Sequence, residues 1–176
     1  MEVAYNSEDL ARTLHNPVAE RIGALLRARN ERLAVCETTA AGLISAQLLA
    51  VPGASVWFDR GVVAYGGTSK QDTTDVTVDE LKEHGAVSVI AVERMAVGLQ
   101  RLAAVQWAVA ESGIAGPQTS RRSTKPAGSV SIAIAGPDGV IGAEHLLLGN
   151  RREVMAAIAQ RCLELLEARL NAAPPS

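Results

Sequence analysis

The sequence predicts an α/β fold, a single three-layer α/β/α domain on a mixed β-sheet, and three observations carry that prediction. Short apolar runs rich in Val and Ala alternate with segments whose apolar residues recur at helical spacing. Two late apolar runs are joined by Gly136-Pro137-Asp138-Gly139, a turn that makes them an antiparallel hairpin. A long amphipathic segment then closes the chain.

The elements follow in order. Asn16 is placed to cap, and Pro17 to open, a helix from Pro17 to Ala28 that carries Val18, Ile22, Leu25 and Leu26 on one face. Leu33 to Cys36 reads as a buried strand. Ala41 to Ala50 reads as a helix stopped by Val51-Pro52-Gly53. Gly61 to Tyr65 is a second strand closed by Gly66-Gly67, and Thr68 to Asp79 is a polar stretch. A short helical piece surrounds Leu81 and ends near His84-Gly85. Ser88 caps the next helix, which reaches about Leu102. Trp107 to Glu111, Ser129 to Ala135 and Val140 to Leu148 are strands, and Arg151 to about Leu170 is the last helix. The whole chain, 1 to 176, reads as one domain with its core from about 17 to 170 and a flexible tail from 171 to 176.

Composition narrows the function classes. With 48% apolar but only 3% aromatic residues, the core must be built from Ala, Val, Leu and Ile. A net charge of −2, with Lys and Arg scattered, predicts neither nucleic-acid nor membrane binding. Cys36 and Cys162 each lie in an apolar run without a partner at metal-ligand spacing, so both are expected as buried, reduced thiols. The start of the chain lacks a basic, apolar leader pattern and no run reaches membrane-spanning length. A cytoplasmic location is the expectation.

Chemistry is expected where strands end. Thr38 and Thr39 lie between the first strand and its helix, where backbone N–H groups and the positive end of the helix dipole stabilise a side-chain oxygen or an oxyanion. The ordinary role of Thr at such a place is an N-cap, and the turn alone favours that role. Tyr65 and Lys70 flank Gly66-Gly67, so both can face those hydroxyls, with lysine a general base if burial lowers its pKa. Ser112-Gly113-Ile114-Ala115-Gly116-Pro117 forms a third strand end where glycine allows close approach of a ligand. Arg121, Arg122 and Lys125 make a small basic loop suited to a phosphate or to solvent. His15, His84 and His145 have no partner motif, and Asp72, Asp75 and Asp79 lack calcium-loop spacing, so no metal site is expected.

Several segments, in order, resemble the C-terminal domain of the competence/damage-inducible CinA proteins, a family that includes stand-alone nicotinamide mononucleotide deamidases. They are Val51-Pro52-Gly53-Ala54-Ser55, Arg60 to Tyr65, His84 to Ser88, Ser112 to Pro117, Lys125 to Val130 and Gly149-Asn150-Arg151. The resemblance spans about Val18 to Leu170. It implies an amidohydrolase that converts the carboxamide of nicotinamide mononucleotide to nicotinic acid mononucleotide and ammonia. No metal or organic cofactor is implied. The implied partners are a nucleotide-like small molecule and further copies of the chain. By the resemblance Thr38, Tyr65 and Lys70 are catalytic. Glu37, Thr39, Gly42, Ser112, Gly113, Ala115, Gly116, Lys125 and Arg151 are implied for substrate binding, with N–H groups at the helix start holding the oxyanion.

The family turn reads Ala-Glu-Ser-Cys-Thr-Gly-Gly, whereas this chain has Cys36-Glu37-Thr38-Thr39-Ala40-Ala41-Gly42. Threonine keeps a hydroxyl but adds a methyl that stiffens its rotamer. The loop from Gln118 to Thr124 also departs from the family's glycine-rich pattern. Two readings follow: an active amidase, or a CinA-like paralogue that binds a nucleotide-like ligand without turnover. Which of Tyr65 and Lys70 is the base, and whether Thr38 or Thr39 attacks, stays open at this level.

Overall fold

The structure, a computed structural model, describes residues 8–74, 76–117 and 124–174. Its elements are α1 (Glu8–Leu14), α2 (Pro17–Arg29), β1 (Leu33–Glu37), α3 (Leu43–Leu49), β2 (Phe58–Val63), α4 (Gly67–Thr74), α5 (Val78–His84), α6 (Val89–Ala103), β3 (Trp107–Gly113), β4 (Ser129–Gly136), β5 (Gly139–Leu146) and α7 (Arg151–Ala172). The sheet runs β2-β1-β3-β4-β5. β1 is parallel to both β2 and β3, whereas β3–β4 and β4–β5 are antiparallel. The sheet is therefore mixed, as the hairpin signal requires.

Period-two alternation sorts the two faces. Leu33 and Val35 of β1 and Trp107 and Val109 of β3 join a core with α2, α3 and α7. Ala34, Cys36, Ala108 and Ala110 face the other way, against Val92, Met95, Ala96 and Leu99 of α6. That second face is mostly alanine, which lets α6 lie close. α4 and α5 pack on α6, completing the three layers. Leu163 and Leu166 of α7 are fully buried, and each such burial contributes about 2 kcal/mol.

Local signals explain most boundaries. Asn16 caps α2 by accepting from the Val18 N–H, and Ser88 caps α6 by accepting from the Ala91 N–H. The structure differs from the sequence expectation at several places. α1 precedes the first expected helix. β2 starts at Phe58 rather than Gly61, because Phe58 pairs with Leu33 ahead of an irregularity in the register, while Tyr65 lies beyond the strand end. α4 occupies the polar stretch to which the sequence assigns no element; it is a helix without an apolar stripe, whose Thr73 and Thr74 hydroxyls bond back to the carbonyls of Ser69 and Lys70. Both tryptophans, Trp57 and Trp107, are fully buried in a core expected to be aliphatic. At the expected tail, α7 continues to Ala172, Ala173 is buried, and the Arg29 guanidinium donates to the carbonyls of Leu170, Ala173 and Pro174. Residues 175 and 176 lie outside the described residues.

β1 lies between β2 and β3, and the chain crosses from one side of it to the other. Such a reversal opens a crevice at the carboxyl ends of the strands. The three segments expected to carry chemistry follow β1, β2 and β3 and so share that end of the sheet.

Candidate functional site

Glu37 ends β1 fully buried, and its carboxylate starts the next helix. Its Oε2 accepts from the N–H groups of Gly42 (2.8 Å) and Ile44 (3.1 Å). Its Oε1 accepts from the Ser45 N–H (2.8 Å) and the Ser45 hydroxyl (2.6 Å). Gly61 on β2 makes room for that serine, since a Cβ there would lie 2.0 Å from Ser45 Oγ. The N-cap residue, Gly42, has φ +97° and contributes no side-chain bond. Neither threonine is therefore the cap, and that expectation is corrected: Glu37 supplies the oxygens. Glu37 and the Gly42 N–H, implied for substrate binding, are committed to each other.

Glu111 closes the turn from the other strand. It lies on the β3 face that carries Trp107 and Val109, one register step beyond the Cys36–Ala110 pair. Its Oε1 accepts from three consecutive backbone N–H groups, those of Thr38 (2.6 Å), Thr39 (2.6 Å) and Ala40 (2.8 Å). Its Oε2 is buried and has no hydrogen-bond partner among the described residues. Burial pushes the Glu111 carboxyl up to about 7, against the pull of those three N–H groups toward the ionised form. The N–H groups expected to receive an oxyanion thus already hold a carboxylate.

The two hydroxyls are distinguishable. Thr39 Oγ1 donates to the Gly113 carbonyl (3.0 Å) and accepts from the Gly113 N–H (2.8 Å), bolting the β1 turn to the end of β3. Thr38 Oγ1 lies 3.2 Å from Thr39 Oγ1 and is the hydroxyl whose proton is not given to the backbone. Thr38 is 3% exposed. Ala41 sits at φ +57°, in the left-handed region that a Cβ disfavours, at a cost of about 1 kcal/mol. Its side chain is exposed, so the family glycine matters here for conformation rather than for room.

Lys70 of α4 is 6% exposed. Its Nζ donates to the Tyr65 carbonyl at 3.1 Å, and it forms no ion pair among the described residues. Burial holds its pKa below the ordinary lysine value, and the neighbouring Cys36 and Glu111, in so far as they ionise, oppose that shift. Tyr65 is 68% exposed, so its backbone rather than its ring positions the lysine. Burial pushes the Cys36 thiol up to about 12 and the Cys162 thiol well above its ordinary value, so both are buried, free thiols as expected.

The third segment is partly tied down. Ser112 is buried and pairs across the sheet with Ser131, whose hydroxyl has no partner among the described residues. Ala115 is buried, and the Gly116 carbonyl accepts from Arg151 Nη1 (2.9 Å), so this arginine braces the loop. Lys125 pairs with Glu144. Both line a cleft of about 170 Å³ with Ser129 and Ser131, smaller than most small-molecule sites. Arg121, Arg122, Asp75 and the loop residues 118–123 lie outside the described residues. Among the described residues no group of three His, Cys, Asp or Glu side chains could hold a metal ion. No helix there is long and apolar enough to cross a membrane.

The model of the CinA C-terminal domain matches residues 15–170. The chain belongs to the CinA family. A CinA-like protein from Synechococcus is 42% identical over 131 residues, covering 74% of this chain and 31% of that protein. One from Anaeromyxobacter is 38% identical over 152 residues, covering 86% and 37%. The chain therefore spans about a third of the length of these relatives. Solved structures agree on the fold. A CinA superfamily protein from Klebsiella pneumoniae superposes with TM-score 0.85 at 28% identity, covering 92% of this chain and 99% of that one. A competence/damage-inducible protein from Agrobacterium tumefaciens gives 0.81 at 30% identity, covering 97% and 99%.

Glu111 is the residue of this CinA domain that sequence reasoning missed. Its signal was available: a carboxylate at a position whose period-two neighbours, Trp107 and Val109, point into the core. A charge on a core-facing register position needs donors, and the nearest turn supplies them.

Proposed function

We propose that this CinA domain hydrolyses an amide of the nicotinamide mononucleotide type, releasing ammonia and the corresponding acid. The observation that carries the reading is Lys70, a buried amine with a depressed pKa and no carboxylate partner among the described residues, at the strand ends that also hold Thr38. Burying an amine this way costs stability, and groups so perturbed cluster where chemistry uses them. Neutral Lys70 takes the Thr38 proton as Oγ1 bonds to the carboxamide carbon. The C–N bond then breaks, the proton passes to the leaving nitrogen, and ammonia departs. Water hydrolyses the resulting threonyl ester to the free acid and restores the hydroxyl. The fixed Thr39–Gly113 bonds support Thr38 over Thr39 as nucleophile. The exposure of Tyr65 supports Lys70 over Tyr65 as base.

A second reading, ligand binding without turnover, is favoured by one observation: Glu111 fills the N–H groups that an oxyanion would need. Ammonia release from nicotinamide mononucleotide by the purified chain, run beside a calorimetric binding titration, separates the two. Saturable ammonia release is the expected result. Binding without release would establish the second reading, and neither would contradict both. Exposed apolar side chains on and just after the edge strand β5, Ile141, Leu146 and Leu148, support a homo-oligomer as part of the proposal.

A further inference from the structure

Three backbone N–H groups converging on one oxygen is the arrangement with which proteins bind anions. Here the three belong to Thr38, Thr39 and Ala40, in the turn ahead of Gly42 and so before the helix begins. The oxygen they hold comes from the protein itself, and the other oxygen of that carboxylate is buried without a partner. A purely structural acceptor would be expected to use both oxygens, as Glu37 does with four donors. Glu111 uses one, and only to fill the N–H cluster.

We propose that the N–H groups of Thr38, Thr39 and Ala40 form a binding site for a carboxylate-sized oxyanion, that Glu111 occupies it as an internal anion, and that a ligand oxyanion must displace Glu111 to enter. The proposal rests on the reading of this turn as the oxyanion-holding element. It makes Glu111 a positioning residue that acts through the backbone. The unpartnered Oε2 leaves the carboxylate held at one oxygen only, so its withdrawal breaks three bonds and no others among the described residues. Thr38 cannot give its N–H to a ligand while Glu111 holds it.

Glu111→Ala removes the atoms of an acetate ion, so acetate is the probe. In the variant, 100 mM acetate in place of chloride is expected to raise Tm by about 4 °C and to shift the ¹⁵N–¹H signals of Thr38, Thr39 and Ala40. The natural chain is expected to show neither change. A folded Glu111→Ala protein indifferent to acetate in both readouts would overturn the proposal. If the variant folds only when acetate is present, that recovery supports it. If it folds in neither salt, Glu111→Gln decides: a neutral oxygen should move the three amide protons upfield together, and unmoved signals would overturn the proposal. Acetate binding with no ammonia release from variant or natural chain would leave the anion site standing and sink the amidase reading. Ammonia release equal in both proteins and insensitive to acetate would overturn the displacement of Glu111 instead.

Discussion

Under the proposed amidase reading, Lys70→Met is expected to lower kcat/KM for nicotinamide mononucleotide by at least about 100-fold, the usual loss when a general base is removed, while the fold survives. Methionine has nearly the length of lysine and no charge to bury, so a site that is 6% exposed accepts it without desolvation cost. What disappears is the one amine at this strand end, among the described residues, whose pKa burial depresses. In the natural chain kcat/KM should rise with pH through a midpoint below 10.5, because only the neutral amine can accept the Thr38 proton. That rise should be absent from any residual activity of the variant. Steady-state ammonia assays across pH check both points, with thermal unfolding as the control. Equal activity in Lys70→Met would remove lysine from the chemistry.

Glu37→Leu acts on stability rather than chemistry. Leucine fills much of the same volume but leaves the N–H groups of Gly42, Ile44 and Ser45 without the oxygens they now use. Each buried donor left unpaired costs about 1–3 kcal/mol, so a loss of about 3–5 kcal/mol is expected. Total stabilities are about 5–15 kcal/mol, which places the variant near unfolding at ambient temperature. By contrast, breaking an exposed ion pair such as Arg94–Glu80 should cost less than about 1 kcal/mol. Urea unfolding of the three proteins measures the contrast. A loss below about 1 kcal/mol for Glu37→Leu would mean that water replaces the carboxylate and that the cap is dispensable.

The framework of this domain was legible because its signals are local. Asn16 and Ser88 announce their helices by side-chain caps, and the turn from Gly136 to Gly139 announces its hairpin. The family, too, was legible in ordered motifs, and the matched residues 15–170 bear that out. α4 was not legible, because a helix made of Gly, Thr, Ser, Lys, Gln and Asp carries no apolar period and is held by its packing on α6. The helix cap after β1 was misread for a related reason. Local spacing makes Thr38 or Thr39 the obvious cap, whereas the oxygens come from Glu37, five residues before Gly42 and eight before Ser45. Glu111 lies further still from the turn it fills, about seventy residues in sequence. Only the pairing of β1 with β3 brings them together. The site's candidate hydroxyls and lysine could be named from sequence, but the order among them could not. That order depends on where Thr39 spends its proton and how deeply Lys70 is buried, and both are set by tertiary contacts.

The assignment of Thr38 as the attacking group is tested most directly by ammonia release from nicotinamide mononucleotide in Thr38→Ala and Thr38→Ser, with ligand binding followed in parallel. A nucleophilic hydroxyl predicts a loss of at least about 100-fold in Thr38→Ala at unchanged affinity. It also predicts turnover at or above the natural level in Thr38→Ser, where the hydroxyl remains and the crowding methyl is gone. Turnover by Thr38→Ala at the natural rate would contradict it and place the reaction, if there is one, on another group.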